Sequence, residues 1–141
     1  MNDSPRGTKN VLFLCTHNSA RSQMAEGLLR EMGGPGFEVH SAGTIATKVR
    51  PEAVAVMKEK EIDISGHSSK TLEGFLDDRF DYVITVCDSA NDSCPVFPNA
   101  RKRLHWSVDD PAGVQGDEAA RLAAFRKARD ELKQRIEDEI L

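Results

Sequence analysis

The sequence lacks a long apolar run and has no excess of positive charge. No stretch of about 18 apolar residues occurs in its 141 residues, which argues against a membrane-spanning helix. With 19 basic and 23 acidic residues, the formal net charge is −4, which does not favour nucleic-acid binding. Residues 1–9 are polar and lack the apolar stretch of a signal peptide, so we expect a flexible N-terminal tail. The sequence therefore predicts a cytoplasmic monomer with one folded domain at 10–141 that binds neither membranes nor nucleic acid.

Cysteine is scarce as well, since the chain has only three. Structural disulfides are rare in a reducing compartment, so each thiol is expected to be either buried and inert or chemically reactive. Which of the two holds for Cys15, Cys87 and Cys94 decides the chemistry of this chain.

Short apolar runs alternate with segments of helical spacing. Strands are predicted at 10–15, 37–41, 81–87 and 103–107. Helices are predicted at 19–32, from Pro51 onward and from Asp117 to the end. This order predicts an α/β fold, a single-domain parallel four-stranded sheet with helices on both faces. Ligands bind at the carboxyl ends of such strands, where Cys15 and Cys87 each close a predicted strand.

The loop after the first predicted strand fits the pattern Cys, five residues, Arg, Ser. Between a strand and a helix, loop N–H groups and the helix dipole form an anion site. Arg21 can hold two oxygens of a tetrahedral oxyanion, and Ser22 can donate a hydrogen bond to the Cys15 thiolate. Asn18 is expected to prop the loop through backbone contacts. The candidate substrate-binding residues are Thr16, His17, Asn18, Ser19, Ala20 and Arg21. The alternative is that Cys15 is an inert buried residue that ends a strand.

Cys87 and Cys94 lie seven positions apart. In one regular helix their Cα atoms would be about 10 Å apart, whereas a disulfide needs roughly 7 Å or less. Bonding them therefore requires the segment to unwind, and the intervening polar residues favour turns over a helix interior. The alternative is that Cys87 belongs to the core and Cys94 has no role.

The loop at 15–22 resembles the phosphate-binding loop of low-molecular-weight protein tyrosine phosphatases. Within that superfamily the chain is more similar to the thioredoxin-coupled arsenate reductases, from about Asn10 to the C-terminus. The motifs that carry the resemblance are Ser-Gln-Met-Ala-Glu at 22–26, Ser-Ala-Gly at 41–43, Asp-Asp-Pro-Ala-Gly at 109–113 and the paired cysteines.

The resemblance implies that Cys15 attacks arsenate or another phosphate-like oxyanion and that Asp110 acts as the general acid. It also implies a disulfide relay through Cys87 and Cys94 that thioredoxin resets, with no bound cofactor. Ala112 follows Pro111 where the phosphatases carry an aromatic residue, which argues against an aryl phosphate substrate. Two alternatives stay open: a phosphomonoester hydrolase, and a non-catalytic oxyanion or redox sensor.

In some relatives a potassium ion sits behind the loop, with ligands that match Asn18, Glu26, Ser41, Ser68 and an acid at position 70. This chain has Lys70 there, and an ammonium group cannot ligate a cation. We therefore predict no metal site and no need for potassium. The Lys70 side chain is expected either to reach Glu26 and Ser41 in place of the ion or to point into solvent.

Overall fold

The computed structural model describes residues 8–87 and 97–141 of the chain. Four strands and three α-helices lie within these ranges. In chain order they are β1 (Lys9–Cys15), α1 (Arg21–Gly33), β2 (Phe37–Gly43), α2 (Pro51–Lys58), β3 (Phe80–Thr85), β4 (Ala100–His105) and α3 (Glu118–Glu139). Short 3-10 helices occur at Gly34–Gly36, Leu72–Phe75 and Pro111–Gly113. Cys94 and most of the predicted tail at 1–9 lie outside the described residues.

The four strands form one parallel sheet in the order β2-β1-β3-β4. β1 is a central strand, and Val11, Leu12, Phe13 and Leu14 have no exposed surface, as its continuous apolar run predicts. Because all strands run the same way, their carboxyl ends meet at one edge of the sheet. At that edge Cys15, the last residue of β1, lies opposite Gly43, the last residue of β2.

The alternation of side chains along β1 divides the core into two layers. Val11, Phe13 and Cys15 share a buried cluster with residues of all three α-helices. Leu12 and Leu14 pack on the opposite side, against Phe97 and the 3-10 helix at Leu72–Phe75. Among the described residues, all three α-helices therefore pack on one face of the sheet, and the 3-10 helix at Leu72–Phe75 together with Phe97 covers the other. The α/β fold with one parallel four-stranded sheet is confirmed, whereas the described residues show no α-helix on the second face, where the sequence led us to expect one.

Several boundaries differ from those expected, and three of the differences have a clear local reason. Helix α1 begins at Arg21, not at residue 19, because Asn18 is left-handed (φ 49°) and Ala20 has non-helical angles. Strand β3 ends at Thr85, so Cys87 lies two residues beyond it instead of closing it. Strand β4 starts at Ala100, ahead of the expected 103, and its charged, largely exposed residues give no apolar signal because it is an edge strand. Among the described helices, none is long and apolar enough to cross a membrane.

Candidate active site

The sulfur of Cys15 lies at the carboxyl edge of the sheet with hydrogen-bond donors around it. Only 2% of the residue is exposed. The backbone N–H of Asn18 donates to Sγ at 3.2 Å, and the Ser22 hydroxyl lies 2.8 Å from it. Because Ser22 Oγ accepts a bond from the Asn18 amide at 2.8 Å, its own proton is left to donate to sulfur. The sulfur of Cys15 thus accepts hydrogen bonds from two groups of the loop, which fix its position.

Asn18 holds the loop through its side chain more than through its backbone. Its Nδ2 donates to Ser22 Oγ and, at 3.0 Å, to Ser41 Oγ. Its Oδ1 accepts bonds of 2.9 Å from Gln23 Nε2 and from the Lys70 N–H. These four bonds fill the capacity of an amide group. Asparagine also tolerates the left-handed backbone that this position requires, so the expected loop-supporting role has a fuller basis than the sequence indicated.

Arg21 and Asp110 come together across 89 positions of sequence. Arg21 is 3% exposed, and its Nη1 donates to the Val108 carbonyl at 2.9 Å. Its Nη2 lies 3.8 Å from Asp110 Oδ2, while Asp110 Oδ1 accepts a bond from the Ala112 N–H at 2.9 Å. The Asp110 side chain is 39% exposed, so one carboxylate oxygen is fixed by the turn and the other faces the anion loop and solvent. This arrangement suits an acid that protonates a departing oxygen.

The rest of the loop is bound to the chain that follows β2. The Thr16 carbonyl accepts bonds from the N–H groups of Thr44 and Ile45, at 2.9 and 3.0 Å. The His17 carbonyl accepts from the hydroxyls of Ser69 and Thr47, at 3.0 and 3.3 Å. Sequence reasoning missed Thr47, Ser69 and also Gln23, whose side chain donates to Asn18. Thr47 and Ser69 carry no local signal, because each acts on a loop about 30 or more residues away along the chain. Gln23 lies in the motif at 22–26, but its pattern did not show that its side chain donates to Asn18.

The groups behind the loop that the resemblance assigns to a potassium ion are hydrogen-bonded to other side chains of the protein. Glu26 is 3% exposed and accepts a 2.5 Å bond from Ser41 Oγ, and Arg30 Nη2 lies 2.7 Å from its other oxygen. Lys70 Nζ donates to the Ser68 carbonyl at 3.0 Å, so it reaches neither Glu26 nor Ser41. The positive charge next to Glu26 is thus the guanidinium of Arg30, four residues along the same helix. A cation placed beside Glu26 would meet the guanidinium of Arg30 and a carboxylate that is already paired with it.

His67 links this network to the surface. Its Nδ1 lies 3.1 Å from Gln23 Oε1 and 3.9 Å from Glu26 Oε2. Burial lowers the pKa of His67 below 6.5, and the nearby Arg30 and Lys70 act in the same direction, while Glu26 and Asp63 oppose the shift. The neutral imidazole is therefore the form that the folded protein favours.

The second cysteine, Cys87, follows β3, the strand that pairs with β1. Val86 donates its N–H to the Leu14 carbonyl at 2.8 Å, which brings the segment that leads to Cys87 alongside the end of β1. Cys87 has no exposed surface and is disulfide-bonded, whereas Cys15 is a free thiol. The prediction for Cys94 falls outside the described residues.

Comparison with known proteins agrees with this geometry. The profile of the low molecular weight phosphotyrosine protein phosphatases matches residues 10–139. An arsenate reductase of Halalkalibacterium halodurans is 46% identical over 91% of this chain and 92% of its own length. A solved arsenate reductase in the phosphate-binding state has a TM-score of 0.79 at 37% identity, covering 93% of this chain and 95% of that one. The thioredoxin-dependent arsenate reductase of Corynebacterium glutamicum has a TM-score of 0.70 at 29% identity, covering 94% of this chain and 60% of that one.

The chain therefore belongs to the low molecular weight phosphotyrosine protein phosphatase family. Its resemblance to the arsenate reductases, noted from the motifs above, holds over nearly the whole chain in both sequence and structure.

Proposed function

We propose that this protein reduces arsenate to arsenite. One observation carries the choice of reduction over hydrolysis: a second buried cysteine, Cys87, follows the strand next to the one that ends in the nucleophile Cys15. Phosphomonoester hydrolysis needs a single thiol and water, whereas reduction needs a second thiol to take over the bond to sulfur. The arsenate reductases that match nearly the whole chain support the same choice.

The reaction balances as follows. The Cys15 thiolate attacks arsenic(V) and forms an S–As bond, while Asp110 protonates an oxygen that leaves as water. The Cys87 thiolate then attacks Cys15 Sγ, and the electron pair of the S–As bond stays on arsenic, which departs as arsenite. Arsenic has gained two electrons, and the two thiols have lost two in forming the Cys15–Cys87 disulfide.

The remaining steps move the disulfide away from Cys15 and then reduce it. The Cys94 thiolate attacks Cys87, which releases Cys15 for the next cycle and leaves a Cys87–Cys94 disulfide. We propose that a dithiol protein of the thioredoxin class reduces this bond by thiol–disulfide exchange in the cytoplasm. The thioredoxin-dependent arsenate reductase of Corynebacterium glutamicum supports this choice of reductant.

Replacing each cysteine by serine tests the relay. Arsenite release is measured with thioredoxin, thioredoxin reductase and NADPH, and again with each component left out. We expect Cys15→Ser and Cys87→Ser to abolish reduction and Cys94→Ser to allow at most one turnover per molecule, because its Cys15–Cys87 bond cannot be passed on. Sustained turnover by Cys94→Ser with thioredoxin would show that the relay is wrong.

Phosphomonoester hydrolysis is the second candidate, because Arg21 and Asp110 are placed as that reaction needs. The protein is expected to cleave an activated aryl phosphate such as p-nitrophenyl phosphate slowly. Cys87→Ser is the matched control, since it removes reduction and leaves the groups that hydrolysis uses. Far better turnover of p-nitrophenyl phosphate than of arsenate would favour the phosphatase.

A further inference from the structure

An open cleft of about 650 Å³ adjoins the anion loop. His17 and Ser19 of the loop and the general-acid candidate Asp110 line one part of it. Lys48 and Arg50, from the segment between β2 and α2, line another. The cleft is far larger than one tetrahedral oxyanion, so it is the entrance to the loop and not the reaction site itself. We call it the vestibule.

Lys48 and Arg50 have no ion-pair partner within the described part of the chain, unlike the charged groups near them. Glu52, two positions further on, lies 3.6 Å from Arg121. Asp110, whose carboxylate is the only one among the described residues that line the vestibule, faces the guanidinium of Arg21 at 3.8 Å. The positive charges of Lys48 and Arg50 are therefore available to attract an anion that enters the vestibule.

The backbone fixes Arg50 relative to the loop. Its N–H donates to the Ser19 carbonyl at 2.8 Å, and Arg50 is the residue directly before α2. The neighbouring Thr47 is held twice, because its N–H donates to Ser69 Oγ and its hydroxyl donates to the His17 carbonyl. Lys48 is thus bracketed by two anchored positions. The Arg50 side chain is half-buried and that of Lys48 is exposed, so the positive charge runs from the loop outward to solvent.

We propose that Lys48 and Arg50 make the vestibule an anion-capture site for the arsenate reduction proposed above. The protein as a whole carries a formal charge of −4, so a negatively charged arsenate ion meets a repulsive field at long range. Two unpaired cations at the entrance reverse that field locally and raise the concentration of the oxyanion next to Arg21. Arsenous acid, the reduced product, is uncharged at neutral pH. The vestibule therefore attracts the substrate and does not retain the product.

Charge reversal, with inorganic phosphate as the probe, tests this role without relying on turnover. The double variant Lys48→Glu/Arg50→Glu should bind phosphate roughly ten-fold more weakly at about 20 mM ionic strength and about two-fold more weakly at about 0.5 M, because salt screens the interaction. Isothermal titration calorimetry supplies both dissociation constants. The double variant Lys48→Arg/Arg50→Lys keeps both charges and should bind within about two-fold of the unmodified protein at either salt concentration.

The matched control is Lys127→Glu/Lys133→Glu, which makes the same charge change on exposed positions of α3. These positions lie roughly 14 and 22 Å along the helix from its first residue. We expect this control to bind phosphate within about two-fold of the unmodified protein at both salt concentrations. Equal weakening in the vestibule and control variants at low salt would overturn the proposal, because the effect would then be one of net charge.

Kinetics separate this proposal from the proposed function. In the vestibule variant, kcat/KM for arsenate should fall with the same salt dependence as phosphate affinity, and kcat should stay within about two-fold, since the reacting groups are untouched. A fall in kcat with unchanged kcat/KM would overturn capture. If the unmodified protein failed to reduce arsenate with any dithiol, the proposed function would be lost, and the phosphate titrations would still decide whether the vestibule captures anions.

Discussion

Gly43 is the position at which one added methyl group should damage the site most directly. It ends β2 opposite Cys15, and a Cβ there would lie 2.7 Å from the Thr16 carbonyl oxygen and 2.9 Å from the Asn18 nitrogen and the Cys15 carbonyl oxygen. All three are backbone atoms, so the contacts cannot be relieved by a side-chain rotation. Ordinary van der Waals contact needs at least about 3.4 Å, so Gly43→Ala must push the anion loop away from β2 by roughly half an ångström or more.

The displacement of the loop should lower both the stability of the protein and its rate of reaction, and the rate more strongly. Overpacking of this kind costs about 1–3 kcal/mol of stability, which corresponds to a fall in Tm of roughly 3–12 °C for a domain of this length. In the proposed reaction the loop must hold the Cys15 sulfur and the oxyanion in register, and misplacement of this order costs up to about 10²-fold in rate. We therefore expect kcat/KM for arsenate to fall more than the stability loss alone explains.

The assay compares Gly43→Ala with Gly66→Ala, because a Cβ at Gly66 meets nothing within 4 Å. Phosphate affinity and kcat/KM are measured well below both melting temperatures, so that each variant is folded. Gly66→Ala should match the unmodified protein in both. If Gly43→Ala bound phosphate as tightly as Gly66→Ala, the loop would not depend on this close approach and the reasoning would be refuted.

Two further predictions concern the network behind the loop. Because the pKa of His67 is lowered from 6.5, the unfolded chain binds a proton below that pH that the folded chain resists, so stability should fall as the pH falls below 6.5. His67→Gln should flatten this part of the curve in urea unfolding between about pH 5.5 and 8, and an unchanged slope would contradict the shift. Since Arg30 pairs with Glu26 and Lys70 occupies the Ser68 carbonyl, arsenate reduction and Tm should be equal in potassium, sodium and choline at one ionic strength. A potassium-specific gain that persists in Lys70→Ala would show that a cation site exists.

The chemical core of the site could be predicted because its signals are local. The Cys15–Ser22 pattern stands between an apolar run and a helical segment, and Asp110 stands directly before a proline. The parallel sheet then follows from the alternation of strands and helices, and it places Cys15 at the edge where ligands bind. The resemblance implies that Asp110 is the general acid, and that role stays a prediction. Its 3.8 Å approach to Arg21 is a feature that only the structure shows.

The surroundings of the site could not be predicted, because they depend on packing between distant segments. Ser69 and Thr47 bind the loop only because the chain after β2 folds back over it, which no periodicity indicates. The start of α1 was placed too early because Ser19 and Ala20 are acceptable helix residues, whereas the anion loop requires other backbone angles. The pairing of Glu26 with Arg30 did have a signal, since the two are four residues apart on a helix.

Burial explains why the proposed reaction needs three cysteines instead of two. Cys15 is 2% exposed and Cys87 is fully buried. Exclusion of water strengthens every contact between the oxyanion, Arg21 and the loop. The same exclusion keeps the thiolate of a partner protein from reaching either sulfur, and thiol–disulfide exchange requires direct attack on one of them. A site that excludes water in this way therefore also excludes a protein reductant. A third thiol removes this conflict if it takes over the disulfide from Cys15. Cys94, which lies seven residues after Cys87 in a polar stretch, is the remaining cysteine of the chain and the one proposed for this role.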